Sequence, residues 1–169
     1  MPAAIDLEAL MRREQVGLWR YLRALGASPH VAEELTQDTF LVAHRRLEVD
    51  RGQRATAAFL RRTARHLLLR QRRDQGRRER ILIELADQAW ERDCSDGGER
   101  WLSALRSCVG RLESRPRQAI QLFYGEGRDR AATAAALGMK ENGLKTLLQR
   151  VRATLRRCIE NHREHQHDL

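Results

Sequence analysis

The sequence contains few of the residues that interrupt helices. Its 169 residues include only 3 prolines and 11 glycines. The remainder is dominated by alanine, leucine, glutamate, glutamine and arginine, all of which are good helix formers. This composition predicts an all-helical protein, and the length suits one ordinary domain or two small ones.

Long apolar runs are absent as well. No stretch approaches the roughly 18 apolar residues that cross a membrane. The N-terminal stretch MPAAIDLEALMRREQ places charges where a secretory signal requires an apolar core. We therefore expect a cytoplasmic protein with no membrane partner.

Cysteine is scarce, and its pattern argues against disulfides and zinc. The three cysteines, Cys94, Cys108 and Cys158, are odd in number and widely spaced, and no two of them form a CxxC pair. Disulfide frameworks use an even number of cysteines, and zinc knuckles use closely spaced pairs. The sequence therefore predicts three reduced thiols.

Motifs of catalysis and metal coordination are also missing. Nothing resembles a nucleophile elbow, a P-loop or a pair of carboxylates in a pocket. The C-terminal histidines, His162, His165 and His167, lie in a polar terminal stretch without a nearby cysteine, which indicates frayed chain rather than a metal site. We expect no catalytic residue, no cofactor and no metal, and hence no enzyme.

Acidic residues are outnumbered by basic ones, and arginine dominates the excess. The chain has 32 Lys and Arg against 23 Asp and Glu, a formal net charge of +9 and a pI near 10.8. A basic surface attracts polyanions before any specific contact forms. Nucleic acid is therefore the expected partner.

Apolar residues recur at helical spacing in two blocks of the chain, which predicts two small helical domains. In the first block, one helix extends to about Arg23, and a second follows the N-cap Ser28 with Pro29 in its first turn. After a loop that contains Gly52, a third helix begins near Ala57. The resulting division is 5–75 for the first domain, 76–100 for a flexible linker, 101–162 for the second domain and 163–169 for a tail.

Two further local features are predicted, a helix cap and a helix within the linker. Thr56 is a candidate cap for the third helix, which is dense in arginine. The linker can hold a short amphipathic helix around Ile81–Trp90, but the glycines that follow Asp96 indicate flexible chain.

The second domain has the plan of a helix-turn-helix. A short alanine-rich helix spans Arg130–Leu137, a tight turn contains Gly138, and a longer basic helix spans Glu141–Ile159. Alanines at 134 to 136 permit close approach of the helices, and Leu137 can pack on Leu144 across the turn. The second helix would enter the major groove of DNA. Its candidate contacts to bases and phosphates are Lys140, Glu141, Asn142, Lys145, Thr146, Gln149, Arg150 and Arg152.

The order of these parts resembles a known family. The stretches AEELTQDTFLVAHRRL, FLRRTARHLLLRQRR and RPRQAIQLFYGEGRDRAATAAALGMKENGLKTLLQRVRATLR look like regions two and four of extracytoplasmic-function sigma factors. These are the smallest class of bacterial RNA polymerase sigma factors. The resemblance covers the chain from about Leu10 to Ile159. It implies a promoter-specificity subunit that binds core RNA polymerase and promoter DNA.

The resemblance also implies which residues contact each partner. In the family, an acidic and amide helix face binds the clamp helices of the largest polymerase subunit, and a loop and the helix after it hold melted minus-ten DNA. Phe59 and Arg61 stand where members usually carry Trp and Tyr, so phosphate binding by that helix is expected more than base stacking. The matching docking positions are Glu34, Gln37, Asp38, Phe40 and His44, all expected to lie off the core stripe. The matching minus-ten positions are Arg51, Gln53, Arg54, Thr56, Arg61, Arg62, Arg65, His66 and Arg70.

Two alternatives remain open at this point. The chain could be a free-standing helix-turn-helix regulator that binds a palindromic operator as a dimer. It could also be a basic helical protein that associates with RNA by shape and charge. Members of the resembled family are often controlled by an anti-sigma protein, and the apolar patch Ile81–Ile83 is a candidate contact for one.

Overall fold

In the computed structural model, the described residues are 5–47, 52–73 and 76–167, and they form α-helices and one π-helical turn, with no strand among them. The predicted all-helical fold is confirmed. The chain divides into two compact units, with the break between Glu99 and Arg100. The helices are α1 (Leu7–Ala24), α2 (Pro29–Arg46), α3 (Gln53–Gln71), α4 (Arg77–Asp93), α5 (Glu99–Gly110), α6 (Ser114–Ile120), α7 (Arg130–Ala136) and α8 (Glu141–His167), and the π-helical turn is Gln121–Gly125.

Local capping accounts for where the first helices begin. The carboxylate of Asp6 accepts a hydrogen bond from the Ala9 amide at the start of α1. Ser28 caps α2 in the same way, with Pro29 in the first turn, as its sequence predicts. Apolar side chains from α1, α2 and α3 then pack into one core that includes the fully buried Tyr21 and Leu22.

The third helix begins earlier than its sequence pattern predicts. The N-cap of α3 is Gly52, so Thr56 lies inside the helix and is not a cap. Ala55, Ala57 and Ala58 favour helix strongly enough to extend the segment towards its N-terminus. Thr56 instead faces the core and is 1% exposed.

Most of the segment predicted as a flexible linker is the helix α4, which belongs to the first unit and packs against its other helices. Ile83 and Trp90 are buried in the core of that unit. The Tyr21 hydroxyl donates a hydrogen bond of 2.6 Å to the Asp87 carboxylate. Burial raises the pKa of Tyr21 far above its ordinary value, and the hydrogen bond to Asp87 raises it further, so the phenol stays a donor. The short helix expected around Ile81–Trp90 is therefore present and longer than expected, and the description as flexible chain is wrong for Arg77–Asp93.

The end of α4 is closed by a turn that contains two glycines. Gly98 has a φ of +80°, and a Cβ built there would lie 2.9 Å from the Trp90 ring. Its amide donates to the Asp96 carboxylate. A side chain at Gly98 would therefore be strained by its backbone and would displace Trp90.

Replacing Asp87 with alanine should loosen α4 from the first unit. The variant leaves the Tyr21 hydroxyl buried without an acceptor and removes a partner of Arg65, whose guanidinium lies 3.3 Å from Asp87. We expect the free energy of unfolding of this unit to fall by about 1–3 kcal/mol. Hydrogen exchange of the α4 amides measures this loss of stability. The matched control is Glu91→Ala at an exposed position of α4, and equal effects of both variants would contradict the assigned role of Asp87.

The second unit contains two small cores that follow one another along α8. One core is formed by α6, α7 and the start of α8, and it includes Ala119, Ala134 and Leu144. Leu137 packs against the same core, as predicted. Of the alanines at 134 to 136, only Ala134 is buried. Gly138 has a φ of +61°, so the turn between α7 and α8 requires glycine's freedom.

The other core joins α5 to the later part of α8, and here the prediction of three reduced thiols is wrong. Cys108 and Cys158 form a disulfide with a Cα–Cα distance of 6.0 Å, in which Cys94 takes no part. The two sulfurs come from positions 50 residues apart, which no local spacing rule detects. α8 also continues to His167, so most of the predicted frayed tail is helical.

Candidate nucleic-acid and polymerase interface

The polar face of α2 is exposed and continuous. Glu34, Gln37 and Asp38 all point away from the core. Their spacing of three and four residues places them on one side of the helix. His44 lies further along α2 and is also exposed. His30 lies 3.4 Å from Glu34 and adds a positive charge beside it only when protonated.

Phe40 does not belong to this face. It is 3% exposed and lies in the core of the first unit, so the expectation that it lies off the core stripe is wrong. At 100° per residue, Phe40 points with the buried Thr36 and Ala43, because it is offset from Asp38 by more than half a turn. The apolar residue that shares the polar face is Leu41, at 56% exposure. The spacing Glu34, Asp38, Leu41 is the sequence signal that would have identified it.

The first turn of α3 borders a cleft of about 1040 Å³ in the first unit. Gln53, Arg54 and Arg61 from α3 line this cleft, so the structure brings three of the predicted minus-ten residues together. Thr56 is buried and cannot present its hydroxyl to a base, which corrects its assignment. Arg51 lies outside the described residues.

Two arginines of α3 differ in what they contact. Among the described residues, the Nε of Arg61 is buried without a hydrogen-bond partner. Arg65 instead lies 3.2 Å from Glu84 and 3.3 Å from Asp87, and so holds α4 in place. These two ion pairs compete with any contact between Arg65 and DNA, so its predicted role at the minus-ten element stays a prediction.

A second set of α3 side chains is exposed. Arg62, His66 and Arg70 follow one another at four-residue intervals, which aligns them along one edge of the helix. We call these three residues the α3 basic ridge. Among the described residues, none of the three has an assigned ion pair.

The helix α8 presents an exposed surface at its N-terminal half. Leu144 and Leu148 are buried against α6 and α7. The side chains on the other faces of this half are exposed: Lys140, Glu141, Asn142, Lys145, Thr146, Gln149, Arg150 and Arg152. All eight predicted DNA-contacting positions, seven on α8 and Lys140 just before it, are thus exposed.

Uncharged polar and charged side chains lie on different faces of α8. Asn142, Thr146 and Gln149 lie on the side away from the core, with Lys145 and Arg150 on opposite flanks. The Thr146 hydroxyl donates to the Asn142 carbonyl, so its oxygen remains available as an acceptor. This is a surface that can place amide groups at base edges and cations at phosphates.

The described residues contain one cluster with metal-ligand chemistry. Cys108, Cys158 and His162 each offer one ligand atom, and these atoms lie within 4.8 Å of one another. The expectation that no cysteine lies near the terminal histidines is wrong, since Cys158 precedes His162 by one helical turn. Within the described ranges, every helix is too short or too polar to cross a membrane.

Both units match families of known proteins. The family model of Sigma-70 region 2 matches residues 10–78, and that of Sigma-70, region 4 matches residues 102–155. The RNA polymerase sigma-E factor of Streptomyces coelicolor is 27% identical over 158 residues, which are 92% of this chain and 87% of that protein.

Solved structures also align over most of the chain. The sigma factor RpoE in complex with the anti-sigma factor NepR from Bartonella quintana covers 92% of this chain and 97% of that one, at 22% identity and a TM-score of 0.39. CnrH in complex with the cytosolic domain of CnrY covers 92% and 88%, at 24% identity and a TM-score of 0.32.

The sequence matches therefore fall on the two compact units that carry the α2 polar face and the helix-turn-helix. This decides against the free-standing regulator. The chain belongs to the family of extracytoplasmic-function sigma factors, non-enzymatic proteins that direct promoter recognition by RNA polymerase.

Proposed function

We propose that the α2 polar face binds core RNA polymerase at the clamp helices of its largest subunit. The observation that carries this proposal is an exposed cluster of Glu34, Gln37 and Asp38 in a chain of net charge +9. An acidic patch on a basic protein favours binding to a basic protein surface and disfavours binding to DNA. Leu41 adds an apolar contact at the centre of the face.

The first unit then binds the melted minus-ten DNA through α3. The buried Nε of Arg61 lacks a partner within the described protein, and a phosphate or base oxygen in the cleft would supply one. Gln53 and Arg54 add donors at the rim of the same cleft. The α3 basic ridge offers two permanent charges to the backbone of the displaced strand.

The second unit recognises the minus-thirty-five element through α8. Asn142, Thr146 and Gln149 are positioned for base edges, and Lys145 and Arg150 for the flanking phosphates. The protein acts in the cytoplasm, where its polymerase is. An anti-sigma protein is a further partner, and the exposed Ile81 and Leu82 of α4 are the contact that we propose for it.

The docking proposal is tested by capture of bacterial core RNA polymerase. The double variant Gln37→Ala/Asp38→Arg removes an amide and reverses a charge at the centre of the α2 polar face. We expect it to weaken polymerase binding at least tenfold, because reversing a charge at an interface costs more than removing a neutral group. Run-off transcription on a genomic fragment library measures the functional loss and identifies the start sites that the wild type uses.

The matched control is Gln88→Ala/Glu91→Arg on α4. It replaces a glutamine and an acidic residue in the same way and changes the net charge by the same amount, at exposed positions three residues apart. The control should bind polymerase like the wild type. If both double variants bind equally well, the α2 polar face is not the docking surface.

A further inference from the structure

The region where α5 meets α8 holds three side chains that none of the proposed DNA or polymerase contacts uses. Cys108 of α5 is joined to Cys158 of α8 by a disulfide, and His162 follows Cys158 by one turn of α8. One ligand atom from each residue lies within 4.8 Å of the other two. Thus two sulfurs and one imidazole nitrogen converge from two helices.

The surroundings of this cluster suit a bound cation that enters from solvent. Cys108 is 2% exposed and lies among Ala104, Leu112 and Leu155 in the core between the helices. Cys158 and His162 are partly exposed at the edge of that core. One side of the cluster is therefore dry and rigid, while the other is open to solvent.

We infer that the reduced form of this domain binds one zinc ion through Cys108, Cys158 and His162. Zinc prefers cysteine sulfur and histidine nitrogen in a tetrahedral arrangement, with a fourth position open to water when the protein supplies three ligands. Two thiolate sulfurs around a tetrahedral zinc ion lie about 3.8 Å apart. Side-chain rotation alone can reach that separation, because the Cα atoms of the two cysteines are already 6.0 Å apart.

The disulfide and the zinc site exclude each other, because both use the same two sulfur atoms. Conversion needs an oxidant, and a peroxide is sufficient. The two zinc-bound thiolates give two electrons to hydrogen peroxide, its O–O bond breaks, and two protons from solvent complete two water molecules. The S–S bond forms and Zn²⁺ leaves. Reduction by a dithiol reverses the disulfide and restores the ligands.

Either state fastens α5 to the far part of α8. The segment enclosed between Cys108 and Cys158 contains α6, α7 and the DNA-facing half of α8. On α8, Cys158 and His162 follow Arg152, the last residue that we assign to DNA, so the cluster includes none of the DNA-contacting residues. Zinc should therefore change the stability of the helix-turn-helix and leave its exposed side chains in place.

The test uses the full-length chain, reduced under anaerobic conditions and titrated with Co²⁺ as a spectroscopic substitute for Zn²⁺. We expect one Co²⁺ per chain, with thiolate-to-cobalt charge transfer and the strong visible bands of a tetrahedral site. His162→Ala should weaken binding at least tenfold and leave disulfide formation unchanged, because both sulfurs remain. Excess Zn²⁺ should bleach the cobalt spectrum and raise the melting temperature of the wild type.

Two controls make the result specific. Cys94→Ser removes the third cysteine and should bind Co²⁺ like the wild type, whereas Cys158→Ser should abolish the charge-transfer band. Peroxide added to the zinc-loaded protein should release Zn²⁺ as the disulfide forms. Absence of tetrahedral Co²⁺ binding by the reduced wild type, or undiminished binding by His162→Ala, would overturn the inference. Neither polymerase nor DNA is present, so these outcomes are independent of the proposed function.

Discussion

Transcription from a promoter with an intact minus-thirty-five element should fall by about 30-fold when Lys145 and Arg150 are both replaced by alanine. The two side chains flank the polar stripe of α8, and both are exposed. A typical hydrogen bond contributes about 1 kcal/mol net, and about 1.4 kcal/mol corresponds to a tenfold change in binding, so the loss of two corresponds to about 30-fold. Removing both hydrogen bonds thus eliminates most of the advantage that the element provides.

The salt dependence of DNA binding distinguishes the loss of phosphate contacts from a loss of folding. Each phosphate that the protein no longer neutralises should reduce the slope of log affinity against log salt by about 0.9. The slope should therefore be smaller by about 1.8 for the double variant, in binding of the holoenzyme to promoter DNA. Run-off transcription on intact and scrambled minus-thirty-five templates provides the second measurement, and the scrambled template should show little difference between variant and wild type.

Arg106→Ala/Arg111→Ala is the matched control for this experiment. Both arginines are exposed in the same unit but do not belong to α8. The control removes the same charge and should keep both output and salt slope close to wild type. Equal effects of the two double variants would mean that net charge, and not the surface of α8, determines binding.

Leu144→Ala should have the largest effect on stability. Leu144 is 0% exposed and packs with Ala119, Ala134 and Leu148 in the core that holds α7 against α8. Truncating a buried leucine costs about 2–5 kcal/mol, which is a large part of the total stability of a small domain. We expect the amides of the helix-turn-helix to exchange rapidly with solvent and minus-thirty-five-dependent transcription to disappear.

Polymerase capture provides the internal control for Leu144→Ala. The α2 polar face belongs to the first unit, so binding to core polymerase should persist in the variant. Leu147→Ala removes the same atoms at a partly buried position of α8 and should cost less. A variant in which polymerase binding disappears along with DNA recognition would show that the two units do not fold independently.

The local features of the fold could be predicted from the sequence because their causes lie within a few residues. Ser28 followed by Pro29 specifies the start of α2, and Gly138 specifies the turn before α8. The error at Phe40 arose on a helix whose apolar residues lie on more than one side. There, the separation of buried and exposed apolar positions depends on neighbouring helices.

Contacts between distant segments could not be predicted in this way. Tyr21 and Asp87 are 66 residues apart, and their hydrogen bond fixes α4 on the first unit. Cys108 and Cys158 are separated by 50 residues. Pairings of this kind depend on how helices pack, and the spacing of residues within one helix carries no information about them.

The fluorescence of Trp90 reports whether α4 is packed against the rest of the first unit. Trp90 is 8% exposed, contacts the edge of the Tyr21 ring at a centroid distance of 5.6 Å, and is covered by Gly98. Trp19, by contrast, is 37% exposed. An indole that leaves an apolar site for water emits at longer wavelength, so release of α4 would shift the Trp90 emission to the red. Fluorescence of a Trp19→Phe/Trp101→Phe variant of the isolated protein would thus follow the attachment of this helix in real time.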